Sequence, residues 1–338
     1  MKLGRREFLR VGGSGIASLI SSPIWAQAAG QDESQSAPKS QTPPKVVLTW
    51  GTNGHGDGEF DIPIAVAVNQ KDEVLVTDFR QSNVEAKSRV QRFDQEGRFL
   101  GSFETDPMPG GLALDKDGLL YVSHMMKHKV AVYDPAGKLV REFGKQGAAP
   151  GEFDQPGGIA FARDGSVYVA DQANQRVQRL SPQGQPISAW GKHGVATGEF
   201  GGNSSPKGRG GGPHFLAFNS QGDLYTTEAS VGRVQKFNSD GKFLLAWGDN
   251  EVAPGHFGGH SYMPGPLAIA VDHQNQVWVS STNHYVHQFT PDGSFVRRVG
   301  GDGTEPGQFR LPHGLAFDSK QHLYVADARN SRIQKLAV

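Results

Sequence analysis

The chain has 338 residues and sets 34 Lys and Arg against 34 Asp and Glu, so it lacks the electrostatic excess of a polyanion binder and no nucleic-acid partner is expected. It contains no cysteine, which excludes a disulfide frame, a thiolate metal site and a cysteine nucleophile, and leaves His and oxygen groups as the available metal ligands. With 45 Gly and 20 Pro, the composition reads as strands and turns.

Near the N-terminus, Arg5 and Arg6 stand ahead of a modestly apolar run from Val11 to Trp25 diluted with Gly and Ser. Paired arginines before such a run mark a twin-arginine export signal, and Ala26-Gln27-Ala28 supplies its cleavage site. Residues 1–28 are therefore expected to be a signal peptide. The run is too short and Gly-rich for a membrane span, so the mature chain is expected to be periplasmic or secreted without one. Residues 29–44, rich in Gln, Ser, Pro and Lys, predict a disordered linker.

From residue 45 onward a pattern recurs about every fifty residues, the spacing of propeller blades. Its anchor is a proline followed by an aliphatic strand containing Ala, and it occurs at Pro63, Pro109, Pro156, Pro213, Pro266 and Pro312. Each anchor leads into a polar turn such as Asp164-Gly165, then a second strand such as Tyr168 to Asp171, a third carrying Arg176-Val177-Gln178, and a fourth ending in an aromatic and a glycine, as in Trp190-Gly191. Short period-2 runs separated by Gly, Asn and Asp turns are antiparallel meanders, and four strands make one blade.

The sixth repeat stops after its third strand, whereas Lys45 to Gly51 is a lone fourth-strand sequence ahead of the first anchor. Pairing these two strands would close the ring and leave no sheet edge open. The reading is an all-β, six-bladed β-propeller over residues 45–338, expected to be a monomer.

The consensus resembles the NHL repeat, most plainly in Asp171 to Gln178 and Asp327 to Gln334, where D-x-x-N-x-R-[VI]-Q appears. Short polar turns need internal satisfaction, so Asp171 with Arg176, Asp327 with Arg332 and Glu228 with Arg233 are expected to pair.

Because neighbouring strands run antiparallel, the start of strand one and the end of strand two share a face. One ring of residues there reads Ile64, Gly110, Gly157, His214, Leu267 and His313, and a second reads Asp78, His124, Asp171, Glu228, Ser281 and Asp327. His124, His214 and His313 fall on alternate blades, and three imidazoles converging on one axis would suit zinc or another divalent metal. Here the chain resembles the peptidyl-hydroxyglycine amidating lyases, which implies zinc on three Pro-His motifs. Pro213-His214 and Pro312-His313 match, while Pro109-Gly110 does not; the lyase tyrosine, arginine and acidic positions correspond to Ala173, Ala229 and Gly314.

The sequence thus reads as an exported binding module for a protein or small-molecule ligand, with His124, Glu228, Asp171 and Asp327 as ligand-binding candidates. The alternative is a metal-dependent lyase or hydrolase on His124, His214 and His313. Two loops precede strand one on the same face and could form a lid over the mouth: Gly198 to Gly212 with Lys207 and Arg209, which lacks the ending of a phosphate loop and reads equally as a plain insertion, and Gly255 to Gly265 with His256, His260, Tyr262 and Met263.

Overall fold

A computed structural model of the chain describes residues 44–338 except 81–85, 202–210, 250, 252 and 259–264. The export signal, all but the last residue of the linker, and Lys207, Arg209, His260, Tyr262 and Met263 lie outside the described residues.

Among the described residues there are six four-stranded antiparallel sheets and one short parallel pair, His193–Gly194 with Phe200–Gly201. Blade 1 comprises Ile62–Val68, Val74–Phe79, Ser88–Phe93 and Phe99–Thr105; blade 2, Pro109–Leu114, Leu120–His124, Lys129–Tyr133 and Leu139–Phe143. Blade 3 comprises Pro156–Phe161, Val167–Asp171, Arg176–Leu180 and Pro186–Trp190; blade 4, Leu216–Phe218, Leu224–Glu228, Arg233–Phe237 and Phe243–Trp247. Blade 5 comprises Pro266–Val271, Val277–Ser281, Tyr285–Phe289 and Phe295–Gly300. Blade 6 takes Pro312–Phe317, His322–Asp327 and Arg332–Ala337 from one end and Lys45–Trp50 from the other. The latter two strands pair antiparallel, with Val46 opposite Leu336 and Trp50 opposite Ile333.

The first strands of successive blades contact one another all the way round, from blade 1 to blade 6 and back to blade 1. Small residues permit this. A Cβ on Gly111 would lie 2.7 Å from the Gly157 carbonyl oxygen, and one on Gly314 would lie 2.6 Å from that of Ile64, so backbone packs on backbone. Second-strand hydroxyls tie the ring further: Ser123, Thr227 and Ser280 each donate at 2.6 Å to a carbonyl of the next blade's first strand, at Gly157, Leu267 and His313.

Apolar side chains pack between adjacent sheets. One such layer joins Tyr168, Ala170 and Val177 of blade 3 to Leu216, Leu224 and Phe237 of blade 4, with Phe200 inserted from the connecting loop. Burial of this kind, at roughly 25 cal/mol per Å² of apolar surface, is what holds a cysteine-free propeller together. Among the described residues, no helix is long and apolar enough to cross a membrane.

Candidate functional site

The acidic candidates belong to the scaffold. Asp171 is fully buried at the end of its strand and accepts from the Asp154 N–H at 2.7 Å, Arg176 Nε at 2.8 Å, Gln178 Nε2 at 3.0 Å and Asn174 Nδ2 at 3.0 Å. Arg176 then donates to the carbonyls of Ala148, Ala149 and Glu152. Asp327 repeats the arrangement with Arg310 N–H, Asn330, Arg332 and Gln334. Glu228 does so with the Gly201 N–H, Arg233 and Gln235. The expected Asp–Arg and Glu–Arg pairs are therefore formed, and the same bonds occupy the carboxylates that were candidates for ligand binding.

His124 departs from the expected convergence. It is fully buried, and its Nε2 lies 3.0 Å from Thr105 Oγ1, at the end of the outermost strand of blade 1. Ending the second strand places a residue on the right face but leaves its side chain facing the neighbouring blade. Burial lowers its pKa to about 4, with Asp106 opposing.

His214 and His313 do meet. Their ring centroids are 5.8 Å apart, and Phe215 lies edge-on to both, at 5.0 and 5.5 Å. Burial lowers His214 to about 4 and His313 to about 3, so both are neutral at pH 7, and the Nδ1 of each has no hydrogen-bond partner among the described residues. The position of the missing third imidazole is closed: a Cβ on Gly110 would lie 2.8 Å from Ser123 Oγ and 2.9 Å from the Pro156 carbonyl oxygen. The residues present thus do not fit a three-histidine zinc site, and His124 does not complete one. Among the described residues, the group of three ligands that comes within mutual reach is instead Asp249, Glu251 and His256.

Two residues on this face were not singled out in the sequence. Gln172 is buried, and its Nε2, without a partner among the described residues, lies 2.3 Å from where a Cβ on Gly157 would stand. Phe215 packs against the core layers at blades 1 and 2, at blades 4 and 5, and at blades 5 and 6. Its signal was legible: the equivalent residues of the other blades are Ala65, Gly111, Gly158, Ala268 and Gly314, so one bulky ring stands in a column of small residues.

The family pattern for the NHL repeat matches residues 153–180 and 309–336, the stretches that carry the Asp171 and Asp327 networks. The chain carries NHL repeats. It is also 34% identical over 131 residues to peptidylglycine alpha-amidating monooxygenase of Rattus norvegicus, a match covering 36% of this chain and 13% of that protein. Among solved structures, it superposes on a virginiamycin B lyase from Staphylococcus aureus (TM-score 0.53, 16% identity, 82% of this chain and 95% of the other). It also superposes on a gluconolactonase from Xanthomonas campestris (TM-score 0.59, 17% identity, 88% and 96%). At such identities the likeness is one of fold.

The NHL turn is replaced in blades 2 and 5. In blade 2 His124 stands for the acid, and Lys129 turns to Asp106 at 2.7 Å and to Glu142 at 2.5 Å. In blade 5 Ser281 and His287 stand for the acid and the glutamine. The preceding loop there pairs Asp249 with His256 at 2.7 Å, where the loops before blades 3 and 4 pair Lys145 with Glu152 and Lys192 with Glu199.

Proposed function

We propose that the chain is an exported ligand-binding propeller that holds a small neutral molecule at the axis, against His214, Phe215, His313 and Gln172. The observation that carries this reading is the pair of neutral imidazoles, of the partly buried His214 and the buried His313, whose Nδ1 atoms have no partner among the described residues. A buried polar group without a partner costs roughly 1–3 kcal/mol, and a ligand that presents hydroxyl or carbonyl oxygens recovers that penalty. Each ring is hydrogen-bonded to a backbone carbonyl, of Leu267 for His214 and of Ile64 for His313, so its Nδ1 is left as an acceptor, and with the apolar edge of Phe215 this favours an uncharged hydroxyl donor over a strong anion. The twin arginines Arg5 and Arg6 support export to the periplasm or beyond. A zinc-dependent lyase is disfavoured because the third imidazole is lacking.

The reading is tested by recording the imidazole nitrogen resonances of His214 and His313 against a series of small neutral hydroxy and carbonyl compounds, alongside metal analysis of protein purified without chelator. Saturable shifts of both residues in metal-free protein support it. One equivalent of zinc, lost in His214→Ala and His313→Ala, overturns it.

A further inference from the structure

One position in the second strand is aromatic in five of the six blades: Tyr121, Tyr168, Tyr225, Trp278 and Tyr324, all essentially fully buried. Each carries a cation over its ring, namely Arg141 at 5.5 Å, Arg179 at 5.8 Å, Lys236 at 5.3 Å, Arg297 at 5.3 Å and Lys335 at 5.1 Å. In blades 2, 3 and 4 the tyrosine hydroxyl donates to a carbonyl in the next blade's turn between strands three and four, at Pro182, Ser239 and Pro291, over 3.2, 2.8 and 3.2 Å. In these three blades ring, cation and turn carbonyl together fill the joint with the next blade, whereas Trp278 and Tyr324 donate to Asp272 and Asp318 of their own blades.

Blade 1 has the cation and the carbonyl without the ring. Leu75 occupies the aromatic position, and Arg92 stands opposite it in the strand pair, as Arg179 stands opposite Tyr168. Arg92 Nη1 donates to the carbonyl of Pro135, which is blade 2's counterpart of Pro182, while its buried Nε has no partner among the described residues. At this joint a cleft with room for about 310 Å³ opens, lined by Leu75, Arg92, Phe103, Leu114, Leu120 and Pro135 among others. That volume is in the range of small-molecule sites. The cleft lies at the turns between strands one and two and between strands three and four, on the opposite face from His214 and His313.

We propose that the cleft between blades 1 and 2 binds a small phenol. The ring takes the place that tyrosine holds in the sister joints, beneath the Arg92 guanidinium, a favourable cation–π arrangement. The phenolic oxygen donates to the Pro135 carbonyl and accepts from Arg92 Nε, which satisfies the buried donor. Leu75, Phe103 and Leu114 enclose the ring edge. The proposal is independent of the axial site, since it shares no residue with it.

The probe is p-cresol, which is the tyrosine side chain itself, with 4-methylcyclohexanol as its non-aromatic counterpart. Titration followed by methyl resonances of Leu75 and Leu114 is expected to saturate with p-cresol and to require at least tenfold more 4-methylcyclohexanol. Leu75→Tyr gives blade 1 the residue of its sisters, so it is expected to fold, to raise the thermal midpoint and to weaken p-cresol binding at least tenfold. Arg92→Leu is expected to weaken binding severalfold even if Leu75→Tyr fails to fold. Unsaturable titration, equal response to both probes, or unchanged p-cresol affinity in either folded variant overturns the proposal.

Discussion

Asp171 and Arg176 face each other across a turn at 2.8 Å, and between them they hold the loop from Ala148 to Asp154 through its backbone. The carboxylate is fully buried and the Arg176 side chain is 16% exposed, so removing the arginine leaves an uncompensated carboxylate inside the protein. Arg176→Ala is therefore expected to lose about 3–5 kcal/mol in urea denaturation. Arg176→Lys should recover little of it, because an ammonium cannot reproduce the planar fork that reaches three carbonyls and a carboxylate.

Gly110→His restores the sequence pattern of a third Pro-His motif but is not expected to restore a metal site. Its Cβ meets Ser123 Oγ and the Pro156 carbonyl, where adjacent inner strands touch. The expected result is a lowered thermal midpoint and no gain in zinc content, measured by calorimetry and metal analysis of the purified variant.

Acid should weaken the fold through its buried histidines. Folded values of about 4 for His214 and about 3 for His313 lie below the ordinary 6.5, so the unfolded chain binds more protons in that interval. Their contribution is complete above about pH 6.5 and is lost as pH falls toward the folded values, at about 1.4 kcal/mol per unit for each histidine. His124 and His287, lowered to about 4 and about 3, act in the same direction. The buried carboxyls of Asp78, Asp171 and Glu228, raised by desolvation, act oppositely. Urea denaturation from pH 7 to pH 4 should show falling stability, with a shallower slope in the His214→Gln, His313→Gln double variant.

A chain lacking Lys45–Trp50 is expected to self-associate. The strand Arg332–Ala337 would then present an unpaired edge, and Trp50 would no longer bridge Tyr324 of blade 6, at 6.0 Å, and Phe93 of blade 1, at 5.8 Å. Size-exclusion chromatography and the sharpness of thermal unfolding check this.

The architecture was legible because it is written six times: the anchor prolines give the blade count, and the D-x-x-N-x-R-[VI]-Q turns give the Asp171 and Asp327 pairings. The axial site was only partly so. His214 and His313 follow their prolines and face inward, whereas His124 ends a strand whose last side chain turns toward the neighbouring blade, which ring position alone does not reveal. Comparing repeats column by column would have exposed Phe215 among small residues and Leu75 among aromatics. Nothing in its own sequence context marks Gln172, because its amide fills the space that the missing side chain of Gly157 leaves within the same blade.

Pairing Lys45 with Ala337 has a kinetic corollary. Contacts so distant along the polypeptide cannot form until the intervening blades have gathered, since the entropy of closing so large a loop must be offset by local structure first. The blade shared by both segments is thus the last to assemble, and refolding should show a slow final phase in which Trp50 fluorescence changes after most of the β-sheet signal has already appeared.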